Sequence, residues 1–240
     1  MIATYKVLSA ALSYPTAEFQ EVARDLVLAL NTERLLSAKD RAAIGALIGD
    51  IAGGDLLDVQ SRYIDLFDRT RALSLHLFEH VHGESRDRGQ AMVALSERYR
   101  AAGMEIATKE LPDYIPLFLE FLSLQPVDSA RAMLKEPAHV LAALGERLHR
   151  RGSAYAKVFE ALVALSEGRP SEAVLAELRE TQIENPDDLE ALDRAWEETE
   201  VRFGPGDAKT DGCPRADEIL RKMNAPPEKF GSRPLAGEDA

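Results

Sequence analysis

Apolar side chains recur at helical spacing along the first 180 residues of this chain. No stretch of five or more residues shows the alternation and β-branched enrichment typical of a strand. Glycine and proline fall between the periodic stretches, where helices are expected to end. The pattern therefore predicts an all-α protein, a single multi-helix bundle over residues 1–180. Representative apolar series are Phe19, Ala23, Leu26 and Leu30; Val59, Tyr63, Leu66 and Phe67; Val140, Leu141, Leu144 and Leu148.

Residues 181–240 have a different composition. They contain six of the 12 prolines and carry 15 acidic and 8 basic side chains. Such a segment buries too little apolar surface to offset the entropy of ordering it. We predict an acidic, partly disordered tail, with short docking helices around Trp196 and around Ile219–Met223.

Charge and cysteine content restrict the class of partner and the compartment. The formal net charge is −12, which disfavours nucleic acid and favours a basic peptide. Cys213 is the only cysteine, so the sequence gives no sign of an oxidising compartment. The longest uncharged run, Val7–Ala17, is shorter than the ~18 residues of a membrane span. We expect a cytoplasmic protein with no direct membrane insertion.

The stretch from Tyr63 to Gly89 holds the densest cluster of polar side chains. A helix there would stack Leu73, Leu77 and Val81 as a core stripe and place His76 and His80 on another face. Gly83 would end that helix and Ser85 would cap the next one. The turn could hold the backbone of a bound peptide. Alternatively, Arg86, Asp87 and Arg88 could form a solvated cluster of ion pairs that braces two helices.

A second stretch, from Glu110 to Leu124, is apolar on nearly every side. Pro112 and Asp113 suit the first turn of a helix. Such a helix is either central in a bundle or presents one face as a groove. Glu120, the only charge in the apolar run, either receives a cation from a partner or is solvated.

The sequence lacks the phosphate-binding, dinucleotide-binding and nucleophile motifs of common enzymes. The strongest enzyme-like signal is a pair of Glu-x-x-His motifs, Glu79 with His82 and Glu146 with His149. Two such motifs can hold a di-metal site inside a helical bundle. Both lie near predicted helix ends, which argues against that site. We predict no enzyme activity, no metal and no cofactor.

Two long motifs resemble a known family. The segment LHLFEHVHGESRDRGQAM at 75–92 and the segment ELPDYIPLFLEFLS at 110–123 are similar to the two signatures of the NarJ-type respiratory nitrate reductase molybdenum-cofactor assembly chaperones. The second lies where the wider TorD/DmsD group carries a Glu-x-Pro-Asp-His motif, with Tyr114 in place of the histidine. The segment WEETEVRFG at 196–204, followed by Cys213 and Pro214, is similar to the family's C-terminal region.

The resemblance implies a TorD-like bundle and a specific function. Members bind the apo catalytic (alpha) subunit of nitrate reductase, including its N-terminal twin-arginine-like peptide. They keep it competent for insertion of the molybdenum cofactor and prevent premature membrane docking. Proteins of molybdenum cofactor biosynthesis are further candidate partners. A generic helical peptide-binding adaptor is the alternative.

We therefore place the partner-binding site on the two signature stretches and on the preceding helix. Its apolar residues would take the anchors of a helical peptide, and Glu79, Glu84, Asp113 and Glu120 would meet its lysines or arginines. The full set is Tyr63, Leu66, Phe67, Leu75, Phe78, Glu79, His80, His82, Gly83, Glu84, Ser85, Arg86, Arg88, Gly89, Glu110, Pro112, Asp113, Tyr114, Leu117 and Glu120.

Overall fold

The regular elements of the described chain are helices, as predicted. The computed structural model describes residues 1–69, 71–82, 86–106, 110–166, 168 and 170–180, all within one compact unit. No helix among these residues is long and apolar enough to cross a membrane. The tail predicted over 181–240 lies outside the described residues. The α-helices are α1 Ala3–Leu12, α2 Ala17–Glu33, α3 Ala38–Gly53, α4 Leu56–Phe67, α5 Leu77–His82, α6 Arg86–Ala101, α7 Ile115–Ser123, α8 Val127–Lys135, α9 Ala138–Arg150, α10 Ala156–Leu165 and α11 Glu172–Glu180.

Side-chain caps start three of the first four helices. Thr16 accepts a hydrogen bond from the Phe19 amide, and Ser37 accepts one from the Asp40 amide. Asp55 accepts from two amides of the first turn of α4. Each cap satisfies backbone donors that have no partner within the helix. Local sequence therefore determines where these helices begin.

The centre of the bundle is formed by α1 and α7. Tyr5, Leu8 and Leu12 of α1 and Leu119 of α7 are completely buried or nearly so. The Ser9 hydroxyl donates to the Pro116 carbonyl at 2.7 Å, which ties the two helices together. Of the two alternatives for this apolar helix, the structure shows the central position, because every residue of α7 except Glu120 is buried.

A close helix pair, α9 with α10, depends on a glycine. A Cβ placed on Gly145 would lie 3.2 Å from the Cβ of Phe159, which is itself fully buried. The absence of a side chain at Gly145 therefore lets the two helices approach at this point. A glycine of α3, Gly49, is exposed, and a Cβ there would meet nothing within 4 Å.

The prediction of one continuous helix through Leu73, Leu77 and Val81 is wrong. A 3-10 turn spans Arg71–Leu73, residues 74–76 are not helical, and α5 begins only at Leu77. Leu73 and Leu77 are buried, but the Val81 residue is 51% exposed. The physical reason is the backbone pairing of His76 with Tyr114, which holds residues 74–78 against the residues before α7.

The predicted start of the second signature helix is also wrong. Pro112 and Asp113 precede α7, which begins at Ile115 with Tyr114 as its N-cap residue. Pro116 occupies the first turn, where its missing N–H costs no hydrogen bond. Pro112 and Asp113 are thereby available for contacts with α5 and α6.

The buried charge of Arg147 was not predicted. Its guanidinium donates to the Ala72 carbonyl at 2.8 Å and to the Leu178 carbonyl. These bonds join the 3-10 turn and α11 to α9. Burial also lowers the pKa of Arg147, although a guanidinium remains charged near neutral pH.

We predict that Gly145→Leu destabilises the fold by about 2 kcal/mol, because the side chain must push α10 away from α9. Gly49→Leu is the matched control. It should leave stability unchanged or raise it by about 0.5–1 kcal/mol, since leucine has the higher helix propensity. Denaturant unfolding of the two variants measures both effects. Equal stability of the two variants would contradict this account of the α9–α10 contact.

Candidate partner-binding site

The two signature segments meet through their backbones. The Leu77 amide donates to the Asp113 carbonyl at 3.0 Å, and the Ile115 amide donates to the Leu75 carbonyl at 2.8 Å. His76 and Tyr114 thus form an isolated antiparallel bridge. The short extended stretch before α5 is therefore fixed directly against the start of α7.

The carboxylate of Asp113 lies at the centre of this junction and has no exposed surface. It accepts a hydrogen bond from the Phe78 amide at 3.1 Å, in the first turn of α5. It also lies 3.2 Å from His76 Nδ1 and 3.9 Å from Arg88 Nη2. Arg88 Nη2 in turn donates to Glu79 at 3.1 Å. One buried carboxylate thus connects α5, α6 and the residues preceding α7.

This geometry replaces part of the predicted site. Asp113 was expected to meet a cation of a bound peptide, but its carboxylate is enclosed and already contacts His76 and Arg88. The predicted cluster of ion pairs exists in a different form, because Arg88 pairs with Glu79 on α5. The side chains of Asp113, His76, Arg88 and Glu79 therefore contact one another and stabilise the site internally.

The two described histidine side chains of the first signature respond to the junction in opposite ways. The hydrogen bond from His76 to Asp113 raises the pKa of His76 above its ordinary value of about 6.5. Burial lowers the pKa of His80, whose Nε2 lies 2.8 Å from the Ser74 carbonyl. His80 therefore remains neutral at neutral pH, as a donor to that carbonyl.

The effect on stability follows from these directions. The folded state binds the His76 proton more tightly than the unfolded chain does. Its stabilisation is therefore complete below about pH 6.5 and is lost as pH rises through the raised folded pKa. The opposite holds for His80, which reduces stability as pH falls below about 6.5, because only the unfolded chain then takes up the proton.

Three tyrosine hydroxyls make hydrogen bonds next to this junction. The Tyr63 hydroxyl donates to the Leu12 carbonyl at 2.8 Å and lies 3.3 Å from the Tyr114 hydroxyl. The Tyr99 hydroxyl donates to the Pro112 carbonyl at 2.7 Å. Burial raises the pKa of all three hydroxyls, so each stays a neutral hydrogen-bonding group. They orient the second signature segment between α4 and α6.

Two cavities share α5 as a wall and use different residues of it. The first, which we call the apolar groove, has a volume of about 330 Å³. Its polar lining residues are Arg98, Glu136 and His139. The remaining lining residues are Leu77, Phe78, Val81, Ala91, Ala94, Leu95, Phe118, Met133, Pro137 and Val140.

The second cavity, which we call the aromatic cleft, has a volume of about 480 Å³ and a polar lining. Among the residues that the structure describes, it combines aromatic rings with three carboxylates and one guanidinium. Its lining residues are Tyr14, Tyr63, Phe67, Asp68, Arg71, Ser74, Leu75, His76, Glu79, Glu110 and Tyr114.

The predicted site residues are divided between these cavities and the core. Tyr63, Phe67, Leu75, Glu79, Glu110 and Tyr114 line the aromatic cleft, and Phe78 lines the apolar groove. Leu66 packs against the core, Leu117 is buried in it, and Gly89 is exposed. Glu120 is exposed, 3.9 Å from Lys6. Gly83, Glu84 and Ser85, with the side chains of His82 and Arg86, lie outside what the structure describes.

Several lining residues were missed. Tyr14 and Asp68 belong to the aromatic cleft, and Arg98 and His139 belong to the apolar groove. Each lies outside the two signature segments. The sequence gives only one hint of the roles of Tyr14 and Asp68, which is that they lie near helix ends. Tyr14 follows α1, and Asp68 follows the last residue of α4, the helix that carries Tyr63 and Phe67.

The glutamates of the two Glu-x-x-His motifs are held in ion pairs with arginines. Glu79 is paired with Arg88, and Glu146 is paired with Arg179 and Arg150. His149 is exposed near the end of α9. Among the residues that the structure describes, no group of three or more histidine, cysteine, aspartate or glutamate side chains could hold a metal ion.

Comparisons with known proteins agree with the two signatures. Residues 33–161, which include the whole lining of the apolar groove, match the family model described as "Nitrate reductase delta subunit". The chain is 41% identical over 202 residues to the nitrate reductase molybdenum cofactor assembly chaperone NarJ of Escherichia coli K12, across 82% of this chain and 83% of that protein.

Two further relatives extend this similarity. The probable nitrate reductase molybdenum cofactor assembly chaperone NarW of the same strain is 38% identical over 199 residues, across 82% of each chain. The probable NarJ of Bacillus subtilis is 27% identical over 164 residues, across 68% of this chain and 88% of that protein. The chain therefore belongs to the nitrate reductase delta subunit family. Its predicted kinship with the NarJ-type assembly chaperones is confirmed.

We predict that Asp113→Asn destabilises the fold by about 3 kcal/mol, because it leaves His76 without its buried counter-charge and leaves Arg88 with Glu79 alone. The loss should be larger at pH 6 than at pH 9, and the pKa of His76 should fall toward its ordinary value. Denaturant unfolding and NMR titration of His76 measure these effects. Asp50→Asn, on the exposed side of α3, is the control and should change stability by less than about 0.5 kcal/mol. An equally small change in Asp113→Asn would contradict the central role of this carboxylate.

Proposed function

We propose that this protein is a cytoplasmic assembly chaperone for a respiratory nitrate reductase. It binds the apo catalytic alpha subunit, including the N-terminal twin-arginine-like peptide, and keeps it competent for molybdenum cofactor insertion and later membrane docking. Proteins of molybdenum cofactor biosynthesis would meet the same complex. Its function is binding, not catalysis.

The main support is the position of α5. This helix lies in the first signature segment and forms a wall of both the apolar groove and the aromatic cleft. Residues of the second signature contribute to both cavities, Phe118 to the groove and Tyr114 to the cleft. The segments that carry the family resemblance therefore build the two concave surfaces that a partner could occupy.

The apolar groove suits one face of an amphipathic helix. Its volume lies at the low end of the roughly 300–1,000 Å³ that is typical of ligand pockets, so a few side chains would fill it. Met133 adds a flexible side chain that can adjust to different anchors. Val81, half-exposed at the groove, would be covered by the bound helix. This would explain an exposed valine in α5.

Charge supports a basic partner. The net charge of −12 attracts a basic peptide and speeds its encounter with the chaperone, in a manner that salt weakens. The relatives named as nitrate reductase molybdenum cofactor assembly chaperones supply the identity of the enzyme.

We predict that the purified protein binds a synthetic peptide from the N-terminus of its organism's nitrate reductase alpha subunit at micromolar concentration or tighter, which corresponds to about −8 kcal/mol. Calorimetry should show a negative heat-capacity change from apolar burial. Val81→Asp should weaken binding at least about tenfold, because a carboxylate would be buried in the groove.

The matched control is Val93→Asp, on α6, because Val93 is 60% exposed and does not line the groove. It should bind like the wild type. Failure of the wild type to bind the peptide would contradict the proposed function. Equal affinities of the two valine variants would place the peptide elsewhere on the molecule.

A further inference from the structure

We propose that α11 is a strap whose docking on α9 controls the order of the first signature segment, and that the buried guanidinium of Arg147 couples the two. When α11 lies on α9, the residues before α5 are held in place, and when it leaves, they are loosened. Arg147 acts as a positioning residue, because it contacts both elements and lines neither cavity. The partner that would use this coupling rests on the proposed function, whereas the coupling itself does not.

The guanidinium of Arg147 connects two elements that are far apart in the chain. The residue is 4% exposed. Its Nη1 donates to the Ala72 carbonyl of the 3-10 turn at 2.8 Å, and its Nη2 donates to the Leu178 carbonyl of α11. A buried charge is costly when one of its hydrogen-bond acceptors is removed. Departure of α11 removes the Leu178 carbonyl, so the guanidinium must turn toward water and its bond to Ala72 weakens.

The helix α11 depends on α9 for its stability. It has nine residues, fewer than an isolated helix needs to be stable in water. Among its described side chains, only Leu175 and Leu178 are buried. Arg179 donates to Glu146 of α9 at 2.7 and 2.9 Å, but this ion pair lies at the surface and contributes little. We therefore expect α11 to open locally while the rest of the bundle stays folded.

The other end of the connection lies just before the first signature segment. Two residues after Ala72 comes Ser74, whose hydroxyl accepts a hydrogen bond from the His76 amide at 3.3 Å. The Ser74 carbonyl lies 2.8 Å from Nε2 of His80 in α5. Holding the 3-10 turn in place thus holds the stretch that pairs with Tyr114 and leads into α5.

Such a coupling must act in both directions. No described residue of α11 lines the apolar groove or the aromatic cleft. If a bound peptide orders residues 72–80, the free energy needed to open α11 rises by the amount that α11 docking contributes to peptide binding. Occupancy of the site therefore changes the stability of a helix that lies outside both cavities.

The coupling is tested first without a partner, by hydrogen exchange of the full chain. Ala176 is exposed in the middle of α11, so Ala176→Pro breaks the helix without removing a packed side chain. We expect the amides of α11 to exchange at least about tenfold faster and those of residues 72–80 at least about threefold faster. Unchanged exchange of residues 72–80 beside an opened α11 would overturn the inference.

Ala173→Pro is the matched control. Ala173 is also exposed, but it lies in the first turn of α11, where a proline is tolerated because the amide has no partner within the helix. This variant should exchange like the wild type in α11 and in residues 72–80.

Replacement of Arg147 tests whether its guanidinium carries the coupling. In Arg147→Met, Ala176→Pro should still accelerate exchange in α11 but should change residues 72–80 by less than about 1.5-fold. Arg147→Lys, which offers one compact ammonium in place of a fork of donors, should also reduce the effect and serves if the methionine variant does not fold. An undiminished effect would show that packing alone couples the two elements and would overturn the role of Arg147.

The reciprocal experiment uses the wild type with the alpha-subunit peptide. Peptide binding should slow exchange of α11 at least about threefold, and Ala176→Pro should weaken peptide binding by a similar factor. If the peptide binds but neither effect occurs, the inference fails and the chaperone function stands. If Ala176→Pro loosens residues 72–80 but the wild type does not bind the peptide, the coupling stands and the proposed partner is wrong.

Discussion

The carboxylate of Asp113 is the contact on which the site depends. It is fully buried, and it meets the backbone of α5, the ring of His76 and the guanidinium of Arg88. Removing a charge from water costs several kcal/mol, which is recovered only when its counter-charges and hydrogen bonds are well placed. The interaction is therefore better understood as fixing one arrangement of three segments than as a large source of stability.

The length of α5 explains why such a contact is needed. Six residues are too few for a helix to be stable by itself in water. The helix is held at its first turn by Asp113 and on its flank by the pair of Glu79 with Arg88. Fixed in this way, it separates an apolar groove from an aromatic, acidic cleft. An amphipathic basic peptide has an apolar face and a cationic face, so the two cavities could bind different faces of the same peptide.

The sequence predicts the helices whose signals are local. Thr16, Ser37 and Asp55 are such local signals, although they were not among the predicted features, and the apolar run that follows Tyr114 indicates the central helix. The prediction fails where a distant group overrides local periodicity. Leu73, Leu77 and Val81 have helical spacing, yet the bridge between His76 and Tyr114 interrupts the helix. No local pattern reveals that contact.

The site residues also divide into those with a local sequence signal and those placed by long-range packing. Tyr63, Phe67 and Tyr114 were predicted because they lie in or beside the signature segments, and the structure brings them to one cleft. Tyr14 and Asp68 complete that cleft from other parts of the chain. Their placement depends on how α1 and α4 pack, which cannot be deduced from spacing alone. The internal role of Asp113 likewise depends on burial, which its charge made unexpected.

Hydrogen exchange of the full chain, with and without the alpha-subunit peptide, tests most directly whether α5 is the centre of partner binding. The account predicts slower exchange in Leu77–Val81 of α5 and in Ala91–Leu95 of α6, two segments that carry lining residues of the groove, with little change in Ala17–Gly53. Protection confined to α2 and α3, with α5 and α6 unchanged, would contradict it.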